Sequence, residues 1–205
     1  TYHFNVRGTV PGALHAVVER PDLYAITCNG VPVTATPGEW WLDRAFGKID
    51  ITKALREGDN TLTLKASPMT MHHEIAAVYI LGDFALEPAD SGHVIVAPAA
   101  LQLGAWNTQG YPFYAQGVSY KQRFNVDKPA SKYIVVLPAW YGSVAKVVIN
   151  GELAGHIGWQ PAECDVTKLI KTGDNTIEVI VVGTLKNTLG PYFGKERLGF
   201  ASPHS

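Results

Sequence analysis

One phrase occurs twice in this chain. "DITKALREGDNTLTL" starts at Asp50 and "DVTKLIKTGDNTIEV" starts at Asp165. Asp, Thr, Lys, Gly, Asp, Asn and Thr recur in register, and most of the other positions exchange like for like. A repeat of this kind marks a structural unit built twice. The agreement extends beyond the phrase. An Asn-Gly step precedes each copy, in "YAITCNGVPV" at 24–33 and "AKVVINGELA" at 145–154. Asn-Gly between alternating apolar runs is a hairpin signal, because both residues accept the positive φ of a tight turn. "HFNV" at 3–6 answers "RFNV" at 123–126, and "LGDFALEP" at 81–88 faintly echoes "LGFASP" at 198–203. The order strand, strand, Asn-Gly hairpin, loop, "D(I/V)TK" segment, strand is therefore written twice.

The phrase has a mechanical reading. Asp50 and Asp165 are placed to cap a single helical turn through their side-chain oxygens. Gly58 and Gly173 are placed to end it in the left-handed region. Asp-Asn then launches a strand, so the element reads as scaffold. The copies differ in one spacing: Asn29 to Asp50 is six residues longer than Asn150 to Asp165, and the extra length holds "TPGEWWLDRAFGK". The repeat also explains the two cysteines. Cys28 stands where the second copy has Ile149, and Cys164 where the first has Ile49. Both read as small buried hydrophobes and free thiols.

These signals give an all-β chain of two tandem antiparallel β-sandwiches of the jelly-roll kind. The expected domains are 1–88, short at its N-terminal edge, and 104–205, with 89–103 as a linker carrying a strand at 93–96. Strands are expected at 2–6, 14–19, 23–28, 31–34, 61–66 and 74–81, then at 117–126, 133–138, 144–149, 152–157 and 177–183. A net charge of −1 supplies no basic field for nucleic acid or an anionic membrane, and no apolar run approaches a membrane span.

"NGELAGHIGWQPAECDVTKLIKTGDNTIEVIVVGTLKNTLGP" resembles the sugar-binding jelly-roll, galactose-binding-domain-like domain of glycoside hydrolase family 2 and its relatives. "EIAAVYILGDFAL", "QGYPFYAQGVSY" and "TLKNTLGP" are similar to the C-terminal β-domains of large bacterial glycosidases such as the family 106 α-L-rhamnosidases. The resemblance implies an accessory, non-catalytic region of a bacterial polysaccharide-degrading enzyme, extracellular or periplasmic and monomeric, with the parent catalytic domain and an oligo- or polysaccharide as partners. It implies no cofactor, although such folds can hold a structural Ca²⁺. Asn187 in "TLKNTLGP" would satisfy loop backbone groups.

The motifs offer three readings. Glycoside hydrolysis needs two facing carboxyls, and Glu39, Asp43, Glu74, Asp83 and Glu163 lack such a context. Adjacent histidines in "MHHE" at 71–74 point to opposite faces of a strand and chelate poorly. The aromatic residues carry more. Sugar C–H faces stack on rings while hydroxyls need polar partners, and "EWWLDR" and "HIGWQ" mix both. The candidate carbohydrate-binding residues are Trp40, Trp41, Asp43, Arg44, Trp140, Tyr141, His156, Trp159 and Gln160. The bland alternatives are that Trp159 belongs to the fold, that one ring of Trp40-Trp41 is internal, and that Trp106, Tyr111, Phe113 and Tyr114 serve to join the domains. A glycan-binding region, a structural wedge against a catalytic barrel, and an unrecognised glycosidase all remain as readings at this level.

Overall fold

The computed structural model describes residues 1–9, 12–114 and 116–185. Asn187, "LGFASP" and most of "TLKNTLGP" lie outside them. The chain divides into two compact units, Thr1–Tyr111 and a second beginning at Pro112. Both are β-sandwiches, and the all-β reading holds.

The first unit contains β1 (Tyr2–Val6), β2 (His15–Glu19), β3 (Ala25–Cys28), β4 (Val31–Val33), β5 (Ala35–Trp41), β6 (Asp43–Asp50), β7 (Gly58–Lys65), β8 (Tyr79–Leu81), β9 (Ala85–Pro88) and β10 (His93–Val96). A six-stranded sheet runs β4-β3-β7-β1-β10-β9, and a four-stranded sheet runs β5-β6-β2-β8. Ile26, Cys28 and Leu62 from the first sheet meet Ala16, Val18 and Ile49 from the second in one core, with Leu14 and Ile51. The strand at 93–96 pairs parallel with β1 and antiparallel with β9. The stretch 89–103 thus contributes to the first unit's larger sheet.

The second unit contains β11 (Gly117–Val126), β12 (Ile134–Val136), β13 (Val144–Ile149), β14 (Glu152–Ile157), β15 (Glu163–Asp165) and β16 (Gly173–Val182). Its sheets run β11-β16-β13-β14 and β12-β15. Ala145, Val147, Ile149 and Ile157 face Ala162, Cys164 and Val166 across the core.

The repeat is structural down to single hydrogen bonds. Asn29 and Asn150 hold φ of 51° and 53°, each followed by a glycine at positive φ, as the tight Asn-Gly turn requires. Asn29 Nδ2 donates to Asn60 Oδ1 (2.7 Å) and to Ala54 O (2.8 Å). Asn150 Nδ2 donates to Asn175 Oδ1 (2.9 Å) and to Leu169 O (2.9 Å). Asn60 Nδ2 donates to Arg56 O and Gly58 O while its Oδ1 accepts from Arg56 N. Asn175 does the same with Lys171 and Gly173. Asn60 and Asn175 are the two polar side chains buried outright among the described residues. Every bond they need is made, which is the condition for burying an amide.

Two details of the phrase differ from expectation. The short 3-10 turns run Thr52–Ala54 and Thr167–Leu169, with Ile51 and Val166 at their N-caps. Asp50 and Asp165 act one residue earlier, accepting the N–H of Thr52 (2.9 Å) and Thr167 (3.0 Å). Each turn closes into extended backbone at Leu55 or Ile170. Gly58 and Gly173, at φ 86° and 90°, therefore open the following strand rather than end the turn. Cys28 and Cys164 are free and buried, and burial raises both thiols above their ordinary value.

Candidate functional site

The segment that holds the six extra residues of the first copy forms a hairpin, β5 and β6. β5 and β6 turn through Leu42 at φ 70°, and Asp43 Oδ1 braces the turn by accepting the N–H of Ala45 (2.7 Å). The segment was expected as a loop. Its own alternation, "RAFGKID", is a strand signal that the Gly and Pro around it obscure.

The hairpin extends the four-stranded sheet and furnishes its outer face. On β2, Ala16 and Val18 point to the core, so His15, Val17 and Glu19 point away. Val17 pairs with Lys48 on β6 and Tyr79 on β8, and Glu19 pairs with Phe46. Phe46, Lys48 and Arg44 thus share this face. Ring centroids of Trp41 and Tyr79 lie 5.1 Å apart at 60°, and those of Phe46 and Tyr79 6.4 Å apart at 57°. β5 and β8 are opposite edges of this sheet, roughly 14 Å apart at ordinary strand spacing. Rings that meet at 5.1 Å must lean inward over β6 and β2. Val17, 0% exposed, lies on the face they cover.

The outcome is an aromatic platform of Trp41, Phe46 and Tyr79 with a polar border. Lys48 Nζ sits 3.2 Å from Glu39 Oε2, and Arg44 and Glu19 lie on the same face. Trp40, half exposed, alternates to the other side opposite Gly47. Gly47 is required there, since a Cβ would come within 2.7 Å of the Pro21 ring. Phe46 and Tyr79 were not among the expected site residues. The strand alternation that aligns them with Trp41 becomes readable only once β5 and β6 are recognised as strands.

In the second unit the expected residues separate by role. Trp140 packs on the core, with its ring 3.0 Å from the Cβ position of Gly142. Tyr141 beside it is 93% exposed. Trp159 is 83% exposed and lies outside the packed core. Ala145 pairs with Ile157, so the loops bearing Tyr141 and Trp159 leave the same end of the β13–β14 pair. His156 is an exposed partner of Lys146 on that pair. Gln160 Oε1 accepts the N–H of Ala162 (3.3 Å), which shapes the loop.

His73 of the "MHHE" motif is built into local structure. His73 Nδ1 accepts the Thr70 N–H (2.9 Å), its Nε2 donates to Leu23 O (3.0 Å), and its ring meets Tyr24 edge-on at 5.1 Å. Among the described residues, no group of three His, Cys, Asp or Glu side chains could hold a metal ion. The carboxyls of Asp22, Asp50, Asp165 and Glu178 are held below their ordinary values, by hydrogen bonds from Arg20, Thr52, Thr167 and Ser119 first.

No family model matches the chain. Over 103 residues, 47% of its length, the chain is 33% identical to a Formosa agariphila protein described as "Putative beta-glucuronidase". It spans 9% of that protein's length. Among solved structures, a rhamnosidase from Novosphingobium sp. PP1Y aligns with 89% of the chain at a TM-score of 0.40 and 18% identity, over 19% of its own length. A Streptomyces avermitilis α-L-rhamnosidase complexed with L-rhamnose aligns with 88% of the chain at a TM-score of 0.35 and 19% identity, over 21% of its own.

Proposed function

We propose that this chain is a non-catalytic accessory region of a larger bacterial polysaccharide-degrading enzyme, and that it binds glycan. The observation that carries the reading is the Trp41–Phe46–Tyr79 platform with its Glu39–Lys48 border. A pyranose laid on these rings buries its C–H face, and the charged border receives its hydroxyls. The similarity to a small part of a protein named as a glucuronidase supports membership of a carbohydrate-active polypeptide. Binding is expected to be modest, because an open face buries little of its ligand. Affinity electrophoresis and calorimetry against a polysaccharide panel test the reading. Binding to at least one glycan, lost in Trp41→Ala and Tyr79→Ala, supports it, and silence across the panel rejects it.

A second reading is favoured by the segment between β7 and β8. The Tyr24 hydroxyl donates to Glu74 O (2.9 Å) and the Tyr2 hydroxyl to Ala76 O. These bonds hold the backbone down on either side of Ile75, which is 94% exposed. Met69 and Met71 are exposed as well. A pinned loop that displays apolar side chains suits docking against the remainder of a larger polypeptide. On this reading Met71→Ser and Ile75→Ser lower the thermal midpoint of the parent polypeptide and leave glycan binding unchanged.

A further inference from the structure

The first strands of the two units are built alike but finished differently. β1 pairs with β7 through Phe4–Asn60, Asn5–Asp59 and Val6–Gly58, and β11 pairs with β16 through Phe124–Asn175, Asn125–Asp174 and Val126–Gly173. Asn5 Nδ2 donates to Asp59 Oδ1 (2.9 Å), and Asn125 Nδ2 donates to Asp174 Oδ1 (2.8 Å). The far edges of the two strands differ. In the first unit β10 lies parallel against that edge, with Asn5 beside Val94 and Val6 beside Ile95. The Arg7 N–H donates to Ile95 O (2.9 Å), and Val6 and Ile95 are both buried. In the second unit β11 ends its sheet, and among the described residues no strand pairs with its edge at 125–127. Asp127 stands there in the place of Arg7.

We propose that this edge docks one parallel β-strand of the kind that β10 provides, supplied by the rest of the larger polypeptide. The source of the strand rests on the accessory-region reading; the receptive edge does not. Backbone groups alternate sides along a strand, so those of Asn125 and Asp127 face outward as the Arg7 N–H does. Such a row of unpaired groups is a template for a further strand. The frame pairs in parallel at this place in the first unit. A second copy of the chain, related by a two-fold axis, would instead join two β11 edges antiparallel into one sheet. The turn directly after β11 cannot supply the strand either, because a parallel neighbour needs a crossover of a dozen or more residues. No apolar run like "HVIV" occurs after Gly183 in the sequence. Charge adds a requirement. Arg7 crosses β10 to pair with Glu87 on β9. Asp127 reverses the sign of Arg7, so the docked strand is favoured when it brings a basic residue to the same face.

The test titrates a synthetic peptide of residues 90–99, "DSGHVIVAPA", into the whole chain and follows backbone amides by NMR. The Asn125 and Asp127 amides are expected to exchange fast in the chain alone. With the peptide they are expected to show saturable shifts and slowed exchange. An Ile95→Asp peptide is expected not to bind. Val94 shares a face with Asn5, and so, once docked, with Asn125 and Asp127. A Val94→Lys peptide is therefore expected to bind about two- to fivefold tighter than a Val94→Glu peptide at low salt. Asp127 is exposed, so Asp127→Lys in the chain spares the fold and is expected to reverse that order. In the larger polypeptide, hydrogen exchange by mass spectrometry should find 125–127 protected. The proposal is overturned if the two amides are already protected in the chain alone, whether by its own residues or, on raising concentration, by a second copy. It is overturned equally if the peptide gives no saturable shifts there, if the Ile95→Asp peptide binds as well, or if 125–127 stays unprotected in the larger polypeptide. None of these outcomes touches Trp41 or Tyr79, so this proposal and the glycan-binding reading fail separately.

Discussion

Val17 and Val136 occupy the same position in the two copies. Each is the third residue beyond the backbone N–H that Thr52 or Thr167 accepts, Leu14 or Tyr133, and each pairs across to the residue two before the Asp of the phrase, Lys48 or Glu163. Val17 is 0% exposed and Val136 is 52% exposed. The frames are the same, so the difference comes from what is added around them. In the first unit β5 and β8 flank this face and lay Trp41 and Tyr79 over it. Among the described residues of the second, β12 pairs with β15 alone. The longer β5–β6 hairpin and β8 together turn an outward valine into the floor of an aromatic platform. The repeated phrase secures the sandwich, and the departures from the repeat decide what its surfaces can hold.

The largest test of this comparison is to break the frame in one copy at a time. Asn60→Ala leaves two backbone carbonyls, the Arg56 N–H and the Asn29 amide without their partner. Each buried group left unpaired costs about 1–3 kcal/mol where water cannot reach it. We expect a loss of about 3 kcal/mol in the unit carrying the change, and an equal loss for Asn175→Ala in the other. Urea unfolding followed at tryptophans of each unit should show one transition displaced and the other unmoved. If either variant displaces both transitions equally, the units unfold together and are not independent frames.

A smaller effect separates core aromatics from displayed ones in the second unit. Trp140→Ala removes a ring packed on the core and is expected to cost about 2 kcal/mol, below the range for a fully buried tryptophan. Tyr141→Ala and Trp159→Ala, at exposed positions, should stay within about 0.5 kcal/mol of the parent. Thermal unfolding of the three variants checks this. A large loss for Trp159→Ala would restore its role in the fold and weaken its candidacy for binding.

Smaller again is the coupling within the platform. Trp41 and Tyr79 meet as a tilted pair, a geometry that contributes about 0.5–1.5 kcal/mol beyond area burial. A double-mutant cycle with Trp41→Ala and Tyr79→Ala should return a coupling in that range. No coupling would mean that the rings cover Val17 independently.

The frame was legible in the sequence because periodicity and turn chemistry agree there. Asn-Gly, the alternating strands at 2–6, 117–126, 144–149 and 152–157, and the isoleucine-for-cysteine exchanges all mark positions that face one core. β5, β6, β9 and β15 escaped notice for physical reasons. β5 carries Pro37 and Gly38 in its middle, which is tolerated at the edge of its sheet and reads as a loop. β15 is three residues long, too short for alternation to register. The platform was half legible. Trp41 stood out as a tryptophan in an insertion, whereas Phe46 and Tyr79 join it only through strand order, which no local pattern encodes.

The smallest expected effect is a pH dependence shared by both copies. Hydrogen bonding from Thr52, its side chain first and then its backbone N–H, holds the Asp50 carboxyl below its ordinary value, and Thr167 does the same for Asp165. A carboxyl depressed in the folded state stabilises the fold above its unfolded pKa. That contribution is lost as pH falls through the folded value. Both groups are exposed, so the loss is small and confined to acid below the usual carboxylate range. Asp50→Asn and Asp165→Asn keep an acceptor for the turn but carry no charge, and each should flatten the acid limb of the thermal midpoint by a similar amount. The charges nearby differ: His15 and Lys53 act on Asp50, Lys132 and Lys168 on Asp165. His15 pairs with Asp50 where the second copy pairs Ile134 with Asp165. If the Asp50 variant flattens the limb more than its counterpart, His15→Ile should remove the excess. If the excess survives that change, the next charged difference between the paired strands is Lys48, where the second copy has Glu163.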